Sequence, residues 1–357
     1  MGHTMTNENY LTDWLINLPE WPRARLAQLP TPIHRLKNFG IQLNGPELWI
    51  KRDDLTGLAG GGNKTRKLEF LAGDAIATGA DMLVTVGAIQ SNHTRQTAAA
   101  AACCGLKCAL LHCSWTDDPG PGYRNVGNIL LSSLLGAELY LDEKKRPIED
   151  QGPLEELANY LREHGHKPYV IPGGASEHRL GSLGYMACAA EIVRQSSAMG
   201  ITFDYVVHCT GSSSTQSGLV AGFAALGEKT HVIGIADDYE TEIKKKRVLQ
   251  LANDALQEIR LPTRVNMNDI EIIAGDKSPY GVADEQTYAT INIFARTEGL
   301  IIDPVYEGKA IRGLLELAKQ HRFEKDSKIL IMHLGGTPAV HAYASQLEPV
   351  TFTKFSA

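Results

Sequence analysis

Short apolar runs alternate with longer stretches of mixed polarity along most of the chain. The runs at 47–54, 82–86, 108–112, 168–172, 204–209, 231–235 and 328–334 are brief, apolar and often β-branched, which predicts buried strands. Between them, 65–71, 94–104, 127–135, 152–165, 182–198, 216–225, 241–258 and 284–298 read as helices. The prolines at 29–33 predict an extended entry segment, and 303–306 reads as strand-like. Buried strands alternating with helices predict an α/β protein, with parallel sheets covered on both faces. No repeat of 20–50 residues, low-complexity tract or long linker interrupts the rhythm. Ligands bind such folds at the carboxyl ends of the strands. The loops 87–93, 210–215 and 334–337 are therefore expected to meet the glycine-rich turn at 60–64 in one cleft.

Composition narrows the class. A chain of 357 residues allows about two domains, and its 43% apolar content suits a globular protein. With 35 Lys and Arg against 41 Asp and Glu, and no basic stripe, nucleic acid is not an expected partner. No apolar run reaches the roughly 18–20 residues that span a membrane. Met1-Gly2-His3-Thr4-Met5 lacks the features of a signal peptide, and Met5 reads as the natural start. The six cysteines form no CxxC pair, which predicts free thiols in a reducing cytoplasm and no metal site. His164 and His166 read as surface residues.

The chemistry starts at Gly60-Gly61-Gly62-Asn63-Lys64. A lysine behind a glycine turn, at the start of a helix, suits an anionic ligand. It is not a P-loop, which requires Gly where Asn63 stands. Taken alone, Lys64 is better explained as a solvated lysine at a helix start. Gly211-Ser212-Ser213-Ser214-Thr215, between a strand and a helix, can cradle a phosphate with backbone N–H groups and hydroxyls. It could equally be an ordinary capped β–α loop. It matches neither G-x-G-x-x-G nor the G-x-S-x-G of serine hydrolases. A phosphate cup and a lysine outside any nucleotide motif point to pyridoxal 5′-phosphate, with Glu307 as a candidate partner for its pyridine nitrogen.

Four longer motifs sharpen this. They are Gly61-Gly62-Asn63-Lys64-Thr65-Arg66-Lys67-Leu68-Glu69, Gly87-Ala88-Ile89-Gln90-Ser91-Asn92-His93-Thr94-Arg95-Gln96, Asp303-Pro304-Val305-Tyr306-Glu307-Gly308-Lys309 and His333-Leu334-Gly335-Gly336. Through them, and over nearly its whole length, the chain resembles the fold-type II pyridoxal-phosphate enzymes. The branch is that of 1-aminocyclopropane-1-carboxylate (ACC) deaminase and D-cysteine desulfhydrase. The resemblance implies two open, twisted parallel-sheet domains, as in the tryptophan synthase β subunit, with the cofactor in the cleft between them. The larger domain would comprise 1–65 and 176–357, with 66–175 inserted as the smaller. It implies that Lys64 carries the cofactor as a Schiff base and that Lys67 helps to hold the phosphate. Ser91, Asn92 and His93 would receive the substrate carboxylate, with Asn92 also near the cofactor's phenolic oxygen. Tyr280 and Tyr306 match the two active-site tyrosines, Tyr306 acting at the ring as a phenolate. A homodimer is implied as well.

Within the branch, Glu307, Leu334, Trp115 and Arg296-Thr297-Glu298-Gly299 resemble the deaminases, whereas the desulfhydrases usually have Ser or Thr at 307 and 334. The difference has a chemical reason. ACC has no α-hydrogen, so opening its ring demands a strong electron sink, and a carboxylate at the pyridine nitrogen strengthens that sink. Thr210-Gly211-Ser212 points the other way, toward desulfhydrases and L-cysteate sulfo-lyases. The expectation is hydrolytic ring opening and deamination of ACC to 2-oxobutanoate and ammonia. The alternatives are α,β-elimination from D-cysteine or cysteate, and a non-catalytic binder of a phosphate-bearing ligand.

Overall fold

The computed structural model describes residues 7–238 and 240–355, so Met1 to Met5 lie outside the described residues. In chain order the strands are β1 (Ile33–Arg35), β2 (Glu47–Arg52), β3 (Met82–Ala88), β4 (Lys107–Cys113), β5 (Glu138–Asp142), β6 (Pro168–Ile171), β7 (Tyr205–Thr210), β8 (His231–Ala236), β9 (Glu271–Ala274) and β10 (Lys328–His333). The helices are α1 (Asn7–Asn17), α2 (Lys64–Ala77), α3 (Asn92–Cys104), α4 (Asn128–Leu134), α5 (Gly152–Glu163), α6 (Leu183–Met199), α7 (Ser214–Leu226), α8 (Thr241–Glu258), α9 (Glu285–Glu298) and α10 (Glu307–Lys319). One sheet runs β1-β2-β10-β7-β8-β9 and a second runs β5-β4-β3-β6. Pairing is parallel throughout except between β1 and β2.

Strand alternation splits the large sheet between two cores. Leu330 and Met332 of β10, with Val206 of β7, pack toward Met186, Leu219 and Val248 of α6, α7 and α8. Ile329, Ile331 and Val207 face the other way, onto Phe294, Ile311 and Leu314 of α9 and α10. The small sheet is divided likewise. Val84 and Leu111 meet Leu154, Leu157 and Leu161 of α5, while Leu83 and Leu110 join α2 and α3 in the first core. Among the described residues no helix is long and apolar enough to cross a membrane. All six cysteines are free.

Several elements depart from the sequence pattern. The 303–306 segment is not a strand. Its Asp303 carboxylate accepts hydrogen bonds from the N–H groups of Val305 (2.8 Å), Tyr306 (2.9 Å) and Glu307 (3.4 Å), which turns the chain into α10. Strands β5 and β9 lie at sheet edges, where short and partly exposed strands carry a weak apolar signal. The entry segment becomes the antiparallel edge β1.

Helix α2 is held from below by a buried ionic network. The Arg66 guanidinium grips Asp53 with two bonds of 2.8 Å and Glu191 at 2.9 and 3.1 Å. Lys51 also pairs with Glu191, and the Tyr185 hydroxyl donates to Asp53 at 2.6 Å. Burial alone would raise the Asp53 pKa, but Arg66 above all, then Lys51 and Tyr185, hold it at about 2. Two cations against two carboxylates leave the cluster neutral. Helix α6 crosses close by because Gly184 has no side chain; a Cβ there would lie 2.3 Å from the Arg66 carbonyl oxygen. Replacing Arg66 with Met would leave Asp53 without its cation and Glu191 with Lys51 alone, one buried negative charge uncompensated. We expect a loss of about 3–5 kcal/mol in urea unfolding; a change under about 1 kcal/mol would mean the network is dispensable.

Candidate active site

The glycine turn ahead of α2 is forced by space. Gly61 has φ +73°, and a Cβ on it would stand 1.8 Å from the Asp54 carbonyl oxygen. The turn is tied on several sides. Gly62 N–H donates to Thr56 Oγ1 at 2.8 Å, Asn63 N–H to the Leu334 carbonyl at 2.9 Å, and Thr65 N–H to Gln96 Oε1 at 2.8 Å. Lys64 emerges from it as the first residue of α2 and lines a cleft at the carboxyl ends of β3, β7, β8 and β10. The expectation that these loops share one cleft is met. Burial draws the Lys64 pKa down to about 8; Asp237 and Asp303 oppose this and Arg95 assists it. A useful fraction of the amine is therefore neutral near pH 7–8.

The 211–215 loop forms one wall. Gly211, Ser212, Ser213 and Thr215 line the cleft, and Ser214 lies buried behind them at the start of α7. Ser213 takes a left-handed conformation (φ +72°). Its hydroxyl, like that of Thr210, is buried without a hydrogen-bond partner. Lys67 does not line the cleft, but its Nζ reaches Ser214 Oγ at 2.7 Å. Burial, then the charge of Lys64, pushes the Lys67 pKa well down. The loop also touches the small sheet, since Ser212 Oγ donates to the Gly174 carbonyl at 3.2 Å and Ser214 Oγ does so at 3.4 Å.

The N-terminus of α3 forms the opposite wall. Ser91 is its N-cap, accepting from the N–H groups of His93 (3.2 Å) and Thr94 (3.3 Å). Asn92 Oδ1 accepts from Asn128 Nδ2 at 2.9 Å. His93 lines the cleft beside them. Its backbone N–H is already committed to Ser91, and its Nε2 lies 2.8 Å from Thr85 Oγ1. That hydroxyl gives its proton to the Ile171 carbonyl, so Nε2 must be the donor in the Thr85 contact. Nδ1 is left as an unpartnered acceptor. Burial, then Lys64 and Lys67, lowers the His93 pKa well below the ordinary value. The imidazole is neutral and offers a carboxylate no proton.

Tyr280 and Tyr306 face each other, their hydroxyls 2.6 Å apart, with the Trp115 ring edge-on to Tyr280 at 6.3 Å. Burial pushes both phenols well up in pKa, and their mutual contact raises Tyr306 further. Burial and the Tyr280 contact thus both favour the phenol form of Tyr306. Glu307 begins α10 and is buried. It accepts from the Leu334 N–H at 3.1 Å and stands 3.4 Å from His333 Nδ1. Burial raises its pKa to about 7, with His333 pulling the other way. Sequence reasoning passed over Asp237, which lines the cleft 3.1 Å from Lys244. Its place directly after β8 was the signal that could have found it.

A family model described as pyridoxal-phosphate dependent enzyme matches residues 24–335. The chain is 43% identical over 332 residues to a protein of Burkholderia vietnamiensis (strain G4 / LMG 22486) named 1-aminocyclopropane-1-carboxylate deaminase, covering 92% of this chain and 98% of that one. It is 42% identical over 329 residues to a protein of the same name from Allorhizobium ampelinum (strain ATCC BAA-846 / DSM 112012 / S4), covering 91% and 98%. A crystal structure described as an ACC deaminase homologue superposes with a TM-score of 0.85 at 34% identity, covering 96% of this chain and 98% of that one.

The raised Glu307 pKa has a thermodynamic consequence. The folded state keeps the proton between the unfolded carboxyl pKa of 4.5 and about 7, so stability contributed at low pH is lost as pH rises through that window. In cofactor-free protein, Glu307→Gln should flatten the decline seen by urea unfolding, by roughly 1–3 kcal/mol across the window. Parallel pH profiles for the two proteins would refute the assignment.

Proposed function

The chain belongs to the pyridoxal-phosphate dependent enzymes, and on that premise we propose that it opens the ring of 1-aminocyclopropane-1-carboxylate. Written in full, ACC and one water give 2-oxobutanoate and one ammonia, a net hydrolysis. One observation carries this reading: a lysine drawn toward its neutral form and a buried glutamate share one cleft. The deaminase names of the relatives support it.

The residues fit pyridoxal 5′-phosphate. The unpartnered hydroxyls of Ser213 and Thr210, and Lys67 with no acidic partner pulling on it, suit an incoming phosphate. Lys64 would bond the cofactor through its amine, Lys67 and the 211–215 loop would hold the phosphate, and Glu307 would share a proton with the pyridine nitrogen. Bound there, the cofactor supplies an electron sink for the carbon bearing the substrate's amino group. Around it the chain's own groups hold the substrate and move its protons. The Ser91 hydroxyl and the Asn92 amide bind the carboxylate at the N-terminus of α3, where the helix dipole favours an anion. Trp115 and Leu334 give the cleft apolar cover that excludes water from the small ring. The Lys64 amine, when free, would shuttle protons. The Tyr280–Tyr306 pair, protonated and joined by a hydrogen bond, delivers a proton to the carbon released when the ring opens. We also read the protein as a cytoplasmic homodimer, from the family likeness and the six free thiols.

Product analysis tests the assignment. Purified protein given ACC should release ammonia and 2-oxobutanoate; pyruvate and sulfide from D-cysteine, with ACC untouched, would replace the reading with a desulfhydrase. Lys64→Ala should abolish turnover, and substantial residual activity would sink the role given to this lysine. Glu307→Ser combined with Leu334→Thr should shift preference toward D-cysteine; an unchanged ratio of the two activities would defeat the electron-sink argument.

A further inference from the structure

Two arginines are buried beside Lys64, and only one has its charge answered. Arg66 makes five hydrogen bonds, four of them to carboxylates. Arg95, on the first turns of α3, is 0% exposed yet makes a single side-chain hydrogen bond, from Nη2 to the Gly61 carbonyl at 2.8 Å. Its Nε and Nη1 are buried with no partner, and no carboxylate acts on it among the described residues. An unpaired buried guanidinium carries a heavy desolvation cost. Gripping the Gly61 carbonyl needs only a neutral donor, so the charge itself calls for another explanation.

Its surroundings supply one. Lys64 is faced by Cys209 at the end of β7, Asp237 after β8, Asp303 ahead of α10, His93 and Arg95 from α3, and Lys67 on its own helix. Tyr280, Tyr306, Glu307, Lys244, Arg247, Asp238, Glu149 and Glu177 also border the cleft. Burial keeps the Cys209 thiol and the two phenols neutral, and His93 is a neutral imidazole. Burial also drives Lys67 toward its neutral form. Asp237 and Asp303 favour an ammonium on Lys64, but burial raises the pKa of both and Asp237 already has Lys244 as its partner. Arg95 is the cation among these neighbours that is neither paired nor neutralised. It clamps the turn three residues ahead of Lys64.

We propose that Arg95 is a positioning residue for the Lys64 amine: it locks the glycine turn that carries the lysine, and its unanswered charge adds to burial in favouring the free amine that can bond an aldehyde. The inference rests on Lys64 being the cofactor lysine. It adds a residue whose action is electrostatic and remote from the reacting atoms. Like charge disfavours the protonated lysine, so removing the guanidinium raises the pH at which the free amine appears.

The test is pulse acetylation of Lys64 in the full chain freed of cofactor, followed by mass spectrometry of its peptide from about pH 6 to 10. Arg95→Gln and Arg95→Met should each move the midpoint of Lys64 reactivity upward by about half a pH unit, roughly threefold less free amine at a given lower pH. Arg95→Lys places an amine where burial presses toward neutrality, as it does for Lys67, so its midpoint should fall between that of the native protein and those of the neutral variants. Neutral variants that fold by circular dichroism and leave the midpoint in place would overturn the proposal. Failure of both neutral variants to fold would also overturn it, by assigning the charge to stability alone. Borohydride reduction of the loaded enzyme tests the underlying reading separately: a cofactor tag on another lysine would remove the cofactor role from Lys64 without altering the acetylation midpoint.

Discussion

The grip of Arg66 on Asp53 and Glu191 decides where everything else in the cleft can be. These groups come from α2, from the segment after β2 and from α6, so one buried cluster fixes a helix against two other parts of the large-sheet body. Lys64 lies two residues before Arg66 and inherits its placement. In the interior such a cluster is held together by mutual neutralisation more than by any single bond, because each member removed leaves another uncompensated. The glycine turn can take its crowded path only because the helix behind it does not yield.

Above that neutral cluster the balance changes. Lys67 and Arg95 are buried without a carboxylate acting on them, and Lys64 shares its surroundings with acids that are themselves pushed toward protonation. Glu307, at the far end of the cleft, is likewise pressed toward its neutral form. A site built of cations inclined to lose protons and acids inclined to keep them is poised for a ligand that carries both an anionic end and a basic ring nitrogen. Such a ligand would restore to each group the charge that burial withholds.

Much of this could be read from the chain. The strand–helix alternation pointed to parallel sheets, and the rule that ligands gather at strand ends brought residues 64, 91, 211 and 334 together. What escaped had physical reasons. Strands β5 and β9 are edges, whose half-exposed residues lack a buried run. The turn at 303–306 looks extended because Pro304 and Val305 favour extended backbone, but the Asp303 carboxylate redirects it, and one side chain's hydrogen bonds leave no periodic trace. The tautomer of His93 followed from the proton inventory of Thr85, a contact between residues eight apart that spacing does not reveal. Arg95 read as one more polar residue on an alanine-rich helix, since a missing partner cannot be seen in a string of letters.

The Gly174 carbonyl accepts from the hydroxyls of Ser212 and Ser214, which join the turn after β6 of the small sheet to the 211–215 loop of the large sheet. A hydroxyl has only one proton to give. Each one turned toward a phosphate is withdrawn from Gly174, so filling the pocket and fastening the two sheets draw on the same two hydrogens. A phosphate held by these hydroxyls would therefore compete with the joint between the sheets, and the two would be coupled through the same hydrogens.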